Sequence, residues 1–139
     1  MAAAPRVTIK GKGTLVGTVL LDAAKGTPKC YRYSRVPYAA PPTGRRRWQK
    51  PFPLSSTFSY GSSTSGKFNA PSSPCPQPSM ATQSCDEDCL QCNIYVPVEQ
   101  PPKDGWPVFF YIRKCTERNH RKRECQLIHR RRRLPTIWI

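Results

Sequence analysis

The sequence predicts a piece of an α/β fold built mostly from strands and loops, on three observations. Short segments near the N-terminus alternate apolar and polar residues with the two-residue period of a half-buried strand. A later run, Trp106-Pro-Val-Phe-Phe-Tyr-Ile112, is apolar without alternation, as in a central parallel strand covered by helices on both faces. The helices that such a sheet needs are missing, and 16 prolines argue against long ones.

The elements follow in order. Arg6 to Ile9 and Thr14 to Leu21 read as two strands joined by Gly11-Lys-Gly13, a hairpin-like spacing. Val7 and Ile9 alternate cleanly with polar residues; Leu15, Gly17 and Val19 do so less cleanly. A turn rich in Gly, Pro and Thr occupies Asp22 to Lys29. Cys30 to Tyr38 alternates again, through Tyr31, Tyr33 and then Val36, and Ala39-Ala-Pro-Pro-Thr-Gly44 closes it. Together these segments predict a small antiparallel sheet. Residues 45–86 are punctuated by Pro, Ser and Gly, and an irregular stretch of that length usually wraps over something larger. Leu90, Cys92, Ile94 and Val96 then alternate with Gln91, Asn93 and Tyr95, which predicts a strand. A proline-rich connection over Pro97 to Gly105 leads into the apolar run.

Composition divides the chain in two. Its 139 residues suffice for one ordinary domain, and the aromatic residues imply that part of it is buried. The net charge is +15, from 23 basic and 8 acidic residues. Residues 113–139 hold ten of the basic residues against Glu117 and Glu124 alone, and show no useful hydrophobic period. That tail is expected to be irregular or disordered and unrelated to what precedes it. No apolar core of a secretory signal stands at the start, and no run approaches the roughly 18 apolar residues of a membrane helix. A reducing cytoplasm is the default expectation, and seven cysteines, an odd number, fit it better than a secreted disulfide framework.

No constellation for chemistry is complete. Acyl transfer by a serine or cysteine needs a histidine within reach and an acid to orient it. The only histidines, His120 and His129, lie in the basic tail, and no Gly-x-Ser-x-Gly elbow exists. Gly61-Ser-Ser-Thr-Ser-Gly66 has the wrong spacing for one and reads as a spacer. Cys89-x-x-Cys92 and Cys125-x-x-x-His129 have ligand-like spacings, but Cys92 shares the apolar face of its strand with Leu90 and Ile94. No metal is expected. Arg118 to Arg123 and His129 to Arg133 could neutralise phosphates, and nucleic-acid binding is the alternative function this raises. The tail lacks interleaved aromatics for base stacking, which weakens that alternative.

Several motifs stand in one order. Val36-Pro-Tyr-Ala39, Pro41-Pro-Thr-Gly44 and Arg47-Trp48 come first, then Cys75-Pro-Gln77. Glu87-Asp-Cys-Leu90 runs through Asn93-Ile-Tyr-Val-Pro97, and Trp106 to Ile112 follows. This series resembles the N-terminal portion of type-B carboxylesterases, the α/β-hydrolase family of cholinesterases and many fungal esterases and lipases. The resemblance covers residues 6–112. Gln91 departs from it by replacing an aromatic or Thr, and Cys92 by replacing an aliphatic residue.

The resemblance implies a small antiparallel sheet, a long surface wrap and the first strands of a large sheet. It implies that Cys75 and Cys89 match the family's first disulfide, whose closed loop would contribute about 3 kcal/mol if oxidised. It also implies a structural ion pair between Arg47 and Glu87. Where the family has a His-Gly-Gly oxyanion loop, this sequence has Arg113-Lys-Cys115, and the triad residues would lie further on. The resemblance therefore implies a truncated serine hydrolase without cofactor or metal. Carboxylic esters would be substrates of the full-length enzyme only. No residue of this chain is expected to be catalytic, and the chain alone is expected to be inactive. A sheet strand with unpaired edges also predicts aggregation or a poorly ordered core.

Overall fold

The computed structural model of the chain describes residues 3–76, 85–112 and 126–127. Seven strands lie among them: β1 (Arg6–Ile9), β2 (Gly13–Val16), β3 (Thr18–Leu21), β4 (Pro28–Pro37), β5 (Gln91–Pro97), β6 (Tyr111–Ile112) and β7 (Gln126–Leu127). The described residues contain no α-helix, only a 3-10 turn at Gly44–Arg46.

β1 and β2 form an antiparallel hairpin in which Val7 faces Leu15 and Ile9 faces Gly13. The strand expected over 14–21 is two strands, β2 and β3, broken at Gly17. A Cβ there would press on the Arg32 carbonyl and lie 2.8 Å from the Tyr33 ring, so this close approach admits only glycine. The Gly17 N–H donates to the Pro5 carbonyl at 2.9 Å, one step on in the β1–β2 register beyond Arg6 and Val16.

β3, β4 and β5 make a three-stranded antiparallel sheet with β4 at its centre. The β3–β4 turn is closed by Asp22, whose Oδ1 accepts from the Ala24 and Lys25 amides at 2.9 and 3.0 Å. In the β4–β5 register, Tyr31 faces Val96, Tyr33 faces Ile94 and Val36 faces Cys92. An irregularity between Tyr33 and Val36 shifts that register by one residue, as a β-bulge does. At the bulge Arg35 has φ +60°, the left-handed region that costs a branched-chain or long residue about 1 kcal/mol or more. The Ser34 amide there donates to the Phe68 carbonyl at 2.8 Å, while the Arg35 amide reaches Asn93 Oδ1 at 3.4 Å.

The core is small. Leu15, Tyr33 and Val36 form its buried centre, and Tyr31, Tyr60, Phe68, Cys92, Ile94 and Val96 pack around them. Tyr60 and Phe68 meet edge to face, with ring centroids 5.8 Å apart. Both come from the irregular stretch, which does wrap, and what it wraps is the β1–β2 hairpin and the bulge of β4. Tyr60 N–H donates to the Lys12 carbonyl, Thr14 N–H to Gly61, Val16 N–H to Gly66 and Phe68 N–H to Val16, all at 2.7–2.8 Å. The segment Gly61 to Gly66 is thus a closed turn held against β2, not a spacer; inside it Gly66 N–H donates to the Ser62 carbonyl at 2.8 Å.

The apolar run departs from expectation. Only Tyr111–Ile112 is strand, paired antiparallel with Gln126–Leu127, and Val108 and Tyr111 are exposed. A strand of sheet-centre composition runs between two neighbours in a sheet, whereas among the described residues the strand assignment of this run is confined to Tyr111–Ile112.

Candidate functional site

Four of the residues singled out from the sequence, Arg47, Cys75, Glu87 and Cys89, gather at one place, where the 44–48 turn meets the segment entering β5. Thr43 to Arg47 form the turn, with the Arg46 N–H donating to the Thr43 carbonyl at 3.1 Å and the Arg47 N–H to Gly44 at 3.2 Å. Gly44 takes φ +56°, which lets the chain reverse after Pro41-Pro-Thr43. Trp48, at φ +61°, leaves the turn with its side chain 99% exposed.

On the facing side, Asp86 Oδ1 accepts from the Asp88 amide at 2.9 Å and Cys89 N–H donates to the Glu87 carbonyl at 2.9 Å. This compact turn aims Glu87 at Arg47, whose Nη2 pairs with its Oε1. Both side chains are more than a third exposed, so the pair contributes under about 1 kcal/mol. Two residues on, Cys89 is bonded to Cys75 across a Cα–Cα distance of 5.1 Å. The Asp86 N–H donates to the Pro74 carbonyl at 3.0 Å beside it. The ion pair and the disulfide therefore pin two loops to the start of β5. Between them lies a cleft of about 240 Å³, lined by Pro42, Arg47, Trp48, Pro76 and Glu87 with the disulfide.

This arrangement is scaffold chemistry. It offers a cation, an anion and a disulfide that satisfy one another, and no nucleophile with a base beside it. Among the described residues no cluster of three His, Cys, Asp or Glu could hold a metal ion. Cys92 packs on the core and its Sγ lies 3.4 Å from the Val36 carbonyl it donates to; burial pushes its pKa up to about 11, the reverse of what a nucleophile or ligand needs. His120, the Cys125/His129 pair, the Arg113-Lys-Cys115 segment and both arginine clusters lie outside the described residues.

Sequence reasoning missed Arg35. Its Nε donates to Gln91 Oε1 at 3.4 Å, and Asn93 Oδ1, which receives its amide, also accepts from Ser72 Oγ at 3.1 Å. Gln91 and Asn93 thus brace the bulge from the neighbouring strand. The signal was present: the apolar positions 31 and 33 are followed by 36 and not 35, one residue out of step.

A three-stranded antiparallel sheet, a disulfide-pinned surface wrap and an ion pair at this place define the opening portion of an α/β-hydrolase esterase. The carboxylesterase family model matches residues 3–116, and the chain belongs to that family. It is 37% identical over 115 residues to an uncharacterised esterase/lipase of Schizosaccharomyces pombe, covering 76% of this chain and 20% of that protein. It is 42% identical over 98 residues to a carboxylic ester hydrolase of Gibberella moniliformis, covering 67% of this chain and 18% of that one. Among solved structures, a PNB esterase superposes with a TM-score of 0.56 at 27% identity, over 79% of this chain and 20% of its own. The chain thus spans about a fifth of the length of these two relatives.

Proposed function

We propose that residues 6–112 are the N-terminal scaffold of a carboxylesterase domain and that residues 113–139 are a basic segment outside it. In the complete domain the chemistry is hydrolysis of carboxylic esters by a serine, a histidine and an acid. This chain contributes the edge sheet, the clasped wrap and the first disulfide of that domain, and supplies no catalytic group of its own. The observation that carries this reading is the pinned junction of Arg47–Glu87 and Cys75–Cys89 within a family match that covers most of the chain. Chemistry points the same way. In sequence, Arg113 and Lys114 occupy the positions where the family resemblance implies the oxyanion loop with its glycines, and the only histidines follow them in the tail.

The purified chain, assayed on a short-chain chromogenic ester, is expected to match buffer alone. Saturable turnover that a serine-directed phosphonate abolishes would overturn the claim of inactivity. No observation in the described residues favours the nucleic-acid alternative. A titration with single- and double-stranded oligonucleotides at rising salt tests it directly, and binding that survives physiological salt would revive it.

A further inference from the structure

The clasp at the start of β5 holds one cysteine more than its disulfide uses. Cys75 and Cys89 are bonded, and Cys85, half-buried and outside that bond, precedes Cys89 by four residues. The backbone between Cys85 and β5 is tightly turned. Asp88 N–H donates to Asp86 Oδ1 at 2.9 Å, Cys89 N–H to the Glu87 carbonyl at 2.9 Å and Gln91 N–H to the Cys89 carbonyl at 2.8 Å. Cys85 is also tied to the segment that carries Cys75. Asp86 N–H, one residue after Cys85, donates to the carbonyl of Pro74, one residue before Cys75, at 3.0 Å. Standard covalent dimensions across that bond keep the Cα atoms of Cys75 and Cys85 no more than about 9 Å apart. A disulfide spans about 4.4–6.8 Å, so a shift of about 2 Å closes the gap. Pro74, Cys75, Pro76 and Asp86 are exposed, which leaves room for it. Two other thiols lack this access. Cys92 donates to the Val36 carbonyl at the core, and Cys30 stands between Leu20 and Pro97 on the central strand of the sheet. Burial raises the pKa of both, which lowers their thiolate content.

We propose that Cys85 exchanges with the clasp disulfide, so that the chain holds two pairings, Cys75–Cys89 and Cys75–Cys85. The Cys85 thiolate attacks Cys75 Sγ, the bond from Cys75 to Cys89 breaks, and Cys89 leaves as a thiolate that takes up the proton Cys85 gave up. One disulfide and one thiol stand on each side of the step, so no oxidant or reductant is consumed. Cys75 is the sulfur attacked because it is exposed, and it lines the open cleft of about 240 Å³ together with Cys89. Loop closure scarcely separates the two pairings, since the sequence separation falls only from 14 to 10 and the entropy varies with its logarithm. The Arg47–Glu87 pair and the turn that orients Cys89 favour the original pairing, though solvent screening keeps that preference small. In the exchanged form the wrap stays tied through Cys75, while Cys89 and the start of β5 are released. The exchange follows from the geometry of the clasp and does not depend on ester hydrolysis.

The test traps the thiols of the full chain. Purified protein is held at about pH 8 without added thiol or oxidant, then acidified to stop exchange, alkylated with N-ethylmaleimide and cut without reduction after Lys and Arg and before Asp. The cuts separate residues 68–85, with Cys75 and Cys85, from residues 88–103, with Cys89 and Cys92. The original pairing leaves these two peptides linked and Cys85 alkylated. The exchanged pairing leaves them apart, with the disulfide closed inside the first and Cys89 alkylated. The expected result is the exchanged form in about a tenth of the chains, reached about tenfold faster at pH 8 than at pH 7 because the thiolate is the attacking species. Cys85→Ser should keep the peptides linked and Cys89 unalkylated. Cys89→Ser, in a glutathione redox buffer, should close Cys75 onto Cys85 in most chains. The proposal is overturned if Cys89 stays unalkylated in the wild type, or if Cys75 and Cys85 of Cys89→Ser both take up the label. Cross-links to Cys30 or Cys92 as abundant as Cys75–Cys85 overturn it too, because they mark general scrambling. Full alkylation of Cys75, Cys85 and Cys89 in the wild type removes the disulfide and the exchange with it, and leaves the scaffold reading standing.

Discussion

Replacing Gly66 with alanine should peel the wrap from the hairpin. A methyl at this position would be driven into the Thr14 carbonyl and would sit 2.9 Å from the carbonyls of Ser62 and Tyr60, all of them backbone atoms with little room to yield. The turn must back away from β2, and the bonds that cross that boundary are Val16 to Gly66, Thr14 to Gly61 and Phe68 to Val16. Losing two or three of them at roughly 1 kcal/mol net each costs about 2–3 kcal/mol. Since each 1.4 kcal/mol is about tenfold, hydrogen-exchange protection at the Val16 and Phe68 amides should fall about 30- to 140-fold. Exchange reads this locally, without requiring the whole chain to unfold in one step. Lys25→Ala, at an exposed position in the β3–β4 turn whose backbone bond to Asp22 it keeps, is the control, and it should leave those two amides within about threefold of the wild type. If Gly66→Ala also leaves them within threefold, the clasp is not what orders the irregular stretch.

Three further outcomes are expected. Replacing Cys75 and Cys89 together by serine opens a loop with a sequence separation of 14 and should cost about 3 kcal/mol in denaturant titrations; a non-reducing peptide map with the two cysteine peptides unlinked contradicts the pairing. Arg47→Ala should cost under about 1 kcal/mol, because the ion pair is solvent-screened, and a loss above about 2 kcal/mol would show that Arg47 holds more than Glu87. Burial raises the Cys92 thiol from 9.0 to about 11, so its ionisation is favoured by unfolding. The stability it contributes is fully present below pH 9 and is lost as the pH rises toward 11. Buried tyrosines such as Tyr33 shift the same way, so the relevant quantity is the difference between wild type and Cys92→Ala. That difference should shrink over this window, and a constant difference would contradict the buried, protonated thiol.

The sequence disclosed most of the strands because their faces are unequal. Tyr31, Tyr33, Ile94 and Val96 alternate with polar neighbours, and they do pack on one core. Gly17 was harder: a glycine within an apolar run looks like a weak strand position, and the break it makes depends on Tyr33, sixteen residues away. The Gly61–Gly66 turn was opaque for a related reason. Serines that bond to their own neighbours look the same in a flexible linker and in a clasp, and the difference lies in which backbone groups of β2 they face. The run at 106–112 shows the opposite failure. Its composition describes the sheet of a complete domain, while the described residues give it one short partner, so local pattern and local structure part company. The site was legible only through motif order. Nothing in the spacing of Arg47 and Glu87, or of Cys75 and Cys89, distinguishes them from other arginines, acids and cysteines in the chain.

The most direct test of the scaffold reading is an exchange within a working enzyme. Residues 3–112 would replace the matched N-terminal segment of the Gibberella moniliformis carboxylic ester hydrolase, and hydrolysis of a chromogenic ester would be measured. The expected result is a soluble chimaera whose turnover lies within about tenfold of the unaltered enzyme, since the exchanged part holds structure and touches no reacting atom. An insoluble or inactive chimaera, beside an active control rejoined at the same junction with its own segment, would contradict it.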